Sequence, residues 1–252
     1  MSTYSNKLRV GNITSSEIHR LMKPGKSKGS FSVDADSYIQ EINRERRLMR
    51  PIEIETDARP LSWGRCVERR VFDLLPLEYT LCSDQTIQHP TIDYWCGSPD
   101  ATTEILLAEV KAPLTLTSFC QMVDPWFDKD SNTWYDGLTI EALRGGHRDG
   151  DKFFWQCTSN AILTGKKMAQ IAVYVPYEDE IEEIKLLSEG IPEFYWIWAN
   201  EKEKMPYLIR DGHYKNLNLI EWYVMQRDID ALTERVLECG KKLIPWPKPI
   251  EK

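Results

Sequence analysis

The chain has 252 residues, 42% of them hydrophobic and 28% charged, with a formal net charge of -7. That length suffices for one large folded unit with a sizeable core, so residues 1–252 are read as a single domain. No apolar run approaches the ~20 residues of a membrane span, and the polar N-terminal stretch lacks a signal-peptide core, so a cytoplasmic protein is expected. Six scattered cysteines form no C-x-x-C pair and have no nearby histidine, which argues against zinc and iron–sulfur sites and fits reduced thiols.

In chain order, Thr14-Ser15-Ser16-Glu17 has the capping-box form and predicts a helix through Ile18, Leu21 and Met22, up to the Lys23-Pro24-Gly25 loop. A second helix is predicted from Tyr38 to Arg47, after Asp34 and Asp36. A third covers Trp63 to Leu75, with Trp63, Val67, Val71 and Leu74 on one stripe. Strands are predicted between Thr91 and Lys111. Residues 120–151 read as a long polar insert rich in Asp, Gly and aromatics, a lid or a DNA-contacting excursion. A helix over Lys152–Leu163 stops at Gly165, and a strand follows at Ala169–Val175. Tyr177–Ile184 reads as a solvated acidic face. Phe194–Ala199 and Tyr207–Arg210 are predicted strands, a final amphipathic helix spans about 216–239, and a Pro-rich tail closes the chain. This order indicates an α/β (α+β) protein around a central mixed sheet flanked by helices.

Charge is unevenly spread. Residues 1–50 hold ten Lys/Arg against five acids, a net of +5, and the remainder nets -12. A local phosphate-binding face on an acidic body has this signature, although a lysine-rich loop would share it.

The most informative stretch is Gly97-Ser98-Pro99-Asp100, followed after eight residues by Glu109-Val110-Lys111. The run from Ile105 to Lys111 suits a buried strand, on which Glu109 and Lys111 share a face. Asp100 follows a turn that ends the preceding strand, so pairing of the two strands would bring Asp100 beside Glu109. Adjacent carboxylates repel unless a cation lies between them, and hard oxygen ligands suit Mg²⁺ or Mn²⁺. Lys111 could then orient water or stabilise charge on a phosphate. A surface hairpin with an ordinary Glu–Lys pair is the plainer alternative.

Other residues could join that site. Glu68 has Gly64, Val71, Phe72 and Leu75 as helical neighbours, and either a metal role or ion pairing with Arg65, Arg69 or Arg70 would explain it. Gln156 and Asn160 lie one helical turn apart and could bond a phosphate, a water or simply the core. Ser15 and Ser16 fall in the first turn of the first predicted helix, where an anion is favoured, and Arg9 could close the same pocket. The four histidines show no pairing that suggests a nucleophile relay.

Taken together, the segments Lys7–His19, Leu61–Glu68, Gly97–Asp100 with Glu109-Val110-Lys111, and Trp155-Gln156 resemble the phage lambda exonuclease family of PD-(D/E)XK nucleases. The segments occur in family order over the first two thirds of the chain. The resemblance implies a restriction-endonuclease-like core, with Asp100, Glu109, Glu68 and Val110 as metal ligands. It also implies Lys111 as catalytic lysine, Gln156 beside it, and a 5′-phosphate pocket of Arg9, Ser16, Ser98 and Gln156. The implied activity is Mg²⁺-dependent 5′→3′ digestion of one strand of double-stranded DNA from its ends, for phage or prophage recombination. A ring-shaped homotrimer and a single-strand annealing protein as partner come with it. An endonuclease on the same fold, or a noncatalytic DNA-binding module, are the alternatives; the long insert and short N-terminus depart from the family pattern.

Overall fold

Residues 8–52, 59–75, 78–82 and 85–246 are described by a computed structural model; Lys7 and the Pro-rich tail past Trp246 lie outside them. The chain enters as a two-residue strand β1 (Ile13–Thr14) and a single helical turn α1 (His19–Met22). The predicted capping box does not form. Thr14 pairs instead with Cys96, its N–H donates to the Tyr38 hydroxyl, and Ile18 occupies the cap position with no side-chain cap bond. A tertiary strand partner has overridden a local helix signal. Helix α2 (Val33–Leu48) starts earlier than predicted because Ser32 caps it, accepting from the Ala35 N–H, with Asp34 and Asp36 in the first turn. Helix α3 (Arg59–Leu74) buries Trp63, Val67 and Val71 on the expected stripe, though Leu74 is exposed.

Short strands β2 (Thr80–Leu81), β3 (Ile87–Gln88), β4 (Trp95–Gly97) and β5 (Ala101–Thr102) lead to β6 (Leu106–Lys111). Helix α4 (Leu116–Val123), the hairpin β7 (Trp126–Asp128) and β8 (Thr133–Tyr135), and α5 (Ile140–Gly146) follow. Next come α6 (Gly150–Thr164), β9 (Met168–Tyr174), α7 (Ile181–Ser188), α8 (Tyr195–Ala199), β10 (Leu217–Tyr223) and α9 (Gln226–Gly240). The main sheet has the order β10-β9-β6-β5-β2, with β6 and β9 parallel and the other pairs antiparallel. A smaller sheet, β1-β4-β3, stands apart from it. The expected mixed sheet with flanking helices is present.

Both faces of β9 are covered, as a central strand with a parallel neighbour requires. Ala169, Ile171 and Val173 pack with Phe119, Phe154 and Cys157 on one face. Ala172 and Tyr174 pack with Trp63, Val67, Ile181 and Ile184 on the other. A third cluster joins α1 and α2 to Trp95, Leu163 and the Leu232, Val236 and Cys239 stripe of α9. Each fully buried Ile or Leu contributes roughly 1.5–3 kcal/mol to these cores. Helix α6 serves two of them, with Phe154, Cys157 and Ala161 toward the main sheet and Leu163 toward the small one. All six cysteines are free thiols. No helix among the described residues is long and apolar enough to cross a membrane.

Several expectations are corrected. Residues 216–239 are not one helix: 217–223 alternate buried and exposed with a period of two and form β10, antiparallel to β9. Phe194–Ala199 is helical, entered through the turn Pro192–Phe194, and among the described residues no strand pairs with it. Tyr207–Arg210 contributes only an isolated bridge from Leu208 to Tyr177. The acidic stretch 177–184 is partly interior. Glu180 is buried, pairs with Arg70, and accepts from the Tyr177 N–H at 2.7 Å and from Asn216 at 3.1 Å. The insert at 120–151 is not a polar excursion throughout, since Met122, Val123, Ile140 and Leu143 belong to the core and only the hairpin projects.

His19 carries a measurable consequence. Burial, then the Lys152 and Lys23 charges, lower its pKa to about 4 against the partial offset of Asp34. The folded pKa lies below the ordinary value of 6.5, so the unfolded chain takes up the proton first. The stabilisation from a neutral His19 is complete above about pH 6.5 and is lost as pH falls toward about 4. Urea unfolding at closely spaced pH values should show this loss, and His19→Gln should flatten it; an unchanged profile would refute the assignment.

Candidate active site

The site begins with one antiparallel register. Strand β5 pairs with β6 through Ala101 opposite Ala108 and Thr102 opposite Leu107, so the next position back on β5's chain, Asp100, falls beside Glu109. The ladder between β5 and β6 stops there, leaving the Val110 N–H without a strand partner on that edge. The Asp100 carboxylate takes its place, Oδ2 accepting from Val110 N at 2.7 Å. The hairpin geometry expected for Asp100 and Glu109 is therefore what the chain adopts.

Glu109 is 4% exposed, on a strand otherwise lined by core residues. Its carboxylate is held by three donors. Lys111 Nζ donates to Oε1 at 2.9 Å, Gln156 Nε2 donates to the same oxygen, and Asn160 Nδ2 donates to Oε2 at 3.4 Å. Lys111 also donates to Gln156 Oε1 at 3.3 Å and lies 5.0 Å above the centre of the Phe153 ring. Gln156, Asn160 and Phe153 reach the site from one face of α6, which explains the turn-apart amides in the sequence.

Electrostatics set the character of the cluster. Burial, then the neighbouring carboxylates of Glu109 and Glu68, push the Asp100 pKa well above its ordinary range, against the Lys111 charge and the Val110 N–H. Burial alone would lower the Lys111 pKa, but Glu109 and Asp100 together outweigh it and leave the ammonium raised. Half-buried Glu68, on α3, is thus close enough for its charge to be felt at Asp100. Three carboxylates against one ammonium leave negative charge for a cation to balance, and an all-oxygen donor set fits Mg²⁺ or Mn²⁺ better than a softer metal. Among the described residues no three His, Cys, Asp or Glu side chains stand close enough to close around an ion by themselves. Val110 packs its side chain in the core, so only its backbone carbonyl could serve as a ligand.

A second cluster lies at the end of β4. The Arg9 guanidinium donates to Ser98 Oγ at 3.3 Å and to Ser16 Oγ at 3.2 Å, and Ser98 shares a hydrogen bond with Thr86 at 2.9 Å. The expected grouping of Arg9, Ser16 and Ser98 is present. The helix-dipole part of the reasoning is not, because Ser16 sits in a turn ahead of the four-residue α1. Arg9 and Ser16 line a cavity of about 560 Å³ that also reaches Glu17, Arg20 and Glu41. Arg20 is neutralised by Asp34 and Glu41, so among the described residues lining the cavity Arg9 is the charge left for an anion. Gln156 groups with Glu109 and Lys111, and among the described residues it makes no bond to Arg9, Ser16 or Ser98.

Thr86 and Phe153 were not anticipated. Thr86 lies outside every local motif, and Phe153 reads in sequence as an ordinary core aromatic. A Ser118–His147 contact of 2.8 Å invites comparison with a nucleophile relay, but His147 Nδ1 accepts from the Asp149 N–H, leaving the ring proton on Nε2 facing Ser118. That polarity is opposite to the one a general base needs.

The carboxylate coupling is testable without substrate. In metal-free protein, Glu109→Gln should bring the Asp100 pKa down toward the ordinary carboxylate range, because one of the charges raising it is gone. Carboxyl-carbon NMR titration measures this directly; an Asp100 value unmoved by the substitution would mean that the two groups do not interact.

No protein-family model matches the chain, and no curated protein matches it. Solved structures do. The alkaline exonuclease LHK-Exo from Laribacter hongkongensis matches at 16% identity and a TM-score of 0.56, over 93% of this chain and 88% of that one. LHK-Exo in complex with dAMP matches at 15% and 0.57, over 94% and 89%. A phage-related exonuclease from Haemophilus somnus 129PT matches at 15% and 0.58, over 94% and 96%. Nearly complete coverage in both directions, at identities this low, makes the likeness one of architecture. The chain has the lambda-exonuclease-like fold of these alkaline and phage-related exonucleases.

Proposed function

We propose that the protein is a metal-dependent exonuclease that digests one strand of double-stranded DNA 5′→3′ from its ends, leaving 3′ single strands for recombination. The observation that supports this most strongly is the gathering of Asp100, Lys111 and Gln156 at the buried Glu109 carboxylate, with Asp100 two residues from Ser98 of the Arg9–Ser98–Ser16 cluster. The first group has the chemistry for phosphodiester hydrolysis and the second the chemistry for a terminal phosphate. A homotrimer and a single-strand annealing partner belong to the same reading by resemblance.

Asp100, Glu109 and Glu68, with the Val110 carbonyl, would hold Mg²⁺ or Mn²⁺, which supplies charge neutralisation at the phosphate and activation of water for direct attack. Lys111 keeps its proton at Nζ because Glu109 and Asp100 stabilise the ammonium, and so presents a positive charge to the developing phosphorane oxygens. Gln156 and Asn160 fix the Glu109 carboxylate, and Phe153 shields the Lys111 amine from water. A covalent enzyme intermediate is not part of the scheme. Cys157, the thiol beside this cluster, is buried, and burial first, then Glu109, pushes its pKa well above the usual range. At the other cluster, the Arg9 fork and the two serine hydroxyls would grip the extra oxygen of a 5′-phosphate and place the strand end next to Asp100.

Linear duplex labelled at the 5′ or the 3′ end, with Mg²⁺, distinguishes the polarity. Early release of 5′ label with retention of 3′ label is expected, and internal fragments from closed circular DNA would replace this reading with an endonuclease. Asp100→Ala and Lys111→Ala should each reduce cleavage by at least about 10²-fold with the protein still folded. Near-normal rates in either would sink the nuclease assignment. Arg9→Ala should slow digestion of 5′-phosphorylated ends and shrink their advantage over 5′-hydroxyl ends. Equal wild-type rates on the two kinds of end would remove the phosphate pocket from the scheme.

A further inference from the structure

The outward surface of α7 and α8 carries large exposed apolar side chains among its acids. Helix α7 buries Ile181 and Ile184 against α3, yet Leu186 and Leu187 on the same short helix are exposed, Leu186 at 69%. After the turn at Gly190, whose φ of 74° suits glycine, Ile191, Tyr195 and Trp198 continue the exposed apolar surface, with Trp198 44% exposed. Tyr195 and Trp198 lie with ring centroids 5.9 Å apart, and with Ile191 and Pro192 they line a groove of about 650 Å³. Large exposed apolar side chains gathered at a groove mark an interaction site.

The charge around the groove selects its occupant. Of the nine acids in residues 178–203, Glu178, Asp179, Glu180, Glu183 and Glu193 pair with Lys202, Arg210, Arg70 and Arg65, which leaves Glu182, Glu189, Glu201 and Glu203 without an ion pair among the described residues, against Lys185. Glu189 lines the groove and Glu182 lies exposed on α7; among the described residues neither carries an ion pair. Such a rim repels nucleic acid and anionic lipid. It also repels the projecting β7–β8 hairpin of another copy, whose exposed Trp134 is flanked by Asp128, Asp130 and Asp136. An apolar stripe bordered by lysine or arginine satisfies both the groove and its rim. We propose that the α7–α8 groove is a docking site for a basic amphipathic helix of a partner protein. With α7 only eight residues long, about 12 Å, the docked segment would span roughly two to three turns.

The probe is a fluorescein-labelled helical peptide of about 16 residues with leucines at i, i+3, i+4 and i+7 and lysines elsewhere, set against its glutamate-for-lysine counterpart. Fluorescence anisotropy with the full chain should give binding of the lysine peptide at least about tenfold tighter than the glutamate peptide, weakening as salt is raised. Trp198→Ala should weaken it by at least about tenfold. The double charge reversal Glu182→Lys with Glu189→Lys, both at exposed positions that leave the fold alone, should invert the preference between the peptides. An unchanged preference in the reversal, or unaltered binding by Trp198→Ala, would overturn the proposal. So would self-association in sedimentation that the reversal abolishes, which would assign the groove to a second copy, or displacement of the peptide by duplex DNA.

Discussion

Ala101 standing opposite Ala108 fixes where everything else in the site can be. The register of an antiparallel pair is quantised: a slip by one residue would turn Glu109 and Lys111 to the opposite face and move Asp100 past its partner. Two alanines at the crossing, both fully buried, leave no room for such a slip to be tolerated. The short length of β5 matters equally. Because its ladder ends before Val110, the edge N–H there is available to a carboxylate, and the structure satisfies a backbone donor with a side chain that chemistry can also use. The charges are costly to bury, and their mutual bonds offset part of that cost.

Helix α6 turns this local arrangement into one with two parts. On one side it packs hydrophobic residues against the main sheet, on the other against the small sheet and α9, and between them runs a stripe of polar side chains inside the protein. Gln156 and Asn160 bond Glu109, whereas Ser159 bonds Ser15 at 2.7 Å and the Trp95 indole at 2.8 Å. A buried polar stripe is stable only where its members find partners, so the helix position is specified on both sides at once. One atom breaks the pattern: Asn160 Oδ1 is buried with no partner among the described residues.

The sequence made the acid pair legible because strand periodicity and a turn at Pro99 are short-range signals, and Asp100, Glu109 and Lys111 are all within their reach. The stripe of α3 and the identity of β9 were legible for the same reason. Thr14 was not, since its capping signal competed with a strand partner more than eighty residues away at Cys96. Residues 216–239 read as one helix because the apolar positions of 217–223 fit a short helix as readily as a strand until β9 is known to lie beside them. Glu180 reads as surface in the sequence because a run of acids hides the one that accepts from Tyr177, Asn216 and Arg70. Thr86 and Phe153 joined the site through contacts that no pattern in one sequence encodes.

Gly97 lies where these constraints meet. A Cβ at this position would collide with the Ser15 hydroxyl on one side and with Asn160 and Leu163 of α6 on the other. A larger residue would wedge β4 away from α6, pulling the Arg9–Ser98 cluster off its support and loosening the amide that holds Glu109 in the same motion. Anchor and acid pair are separate in chemistry, with Ser98 two residues before Asp100 and eleven before Glu109, yet both depend on the fit of Gly97 against α6. A side chain added at Gly97 would therefore be felt at both clusters at once.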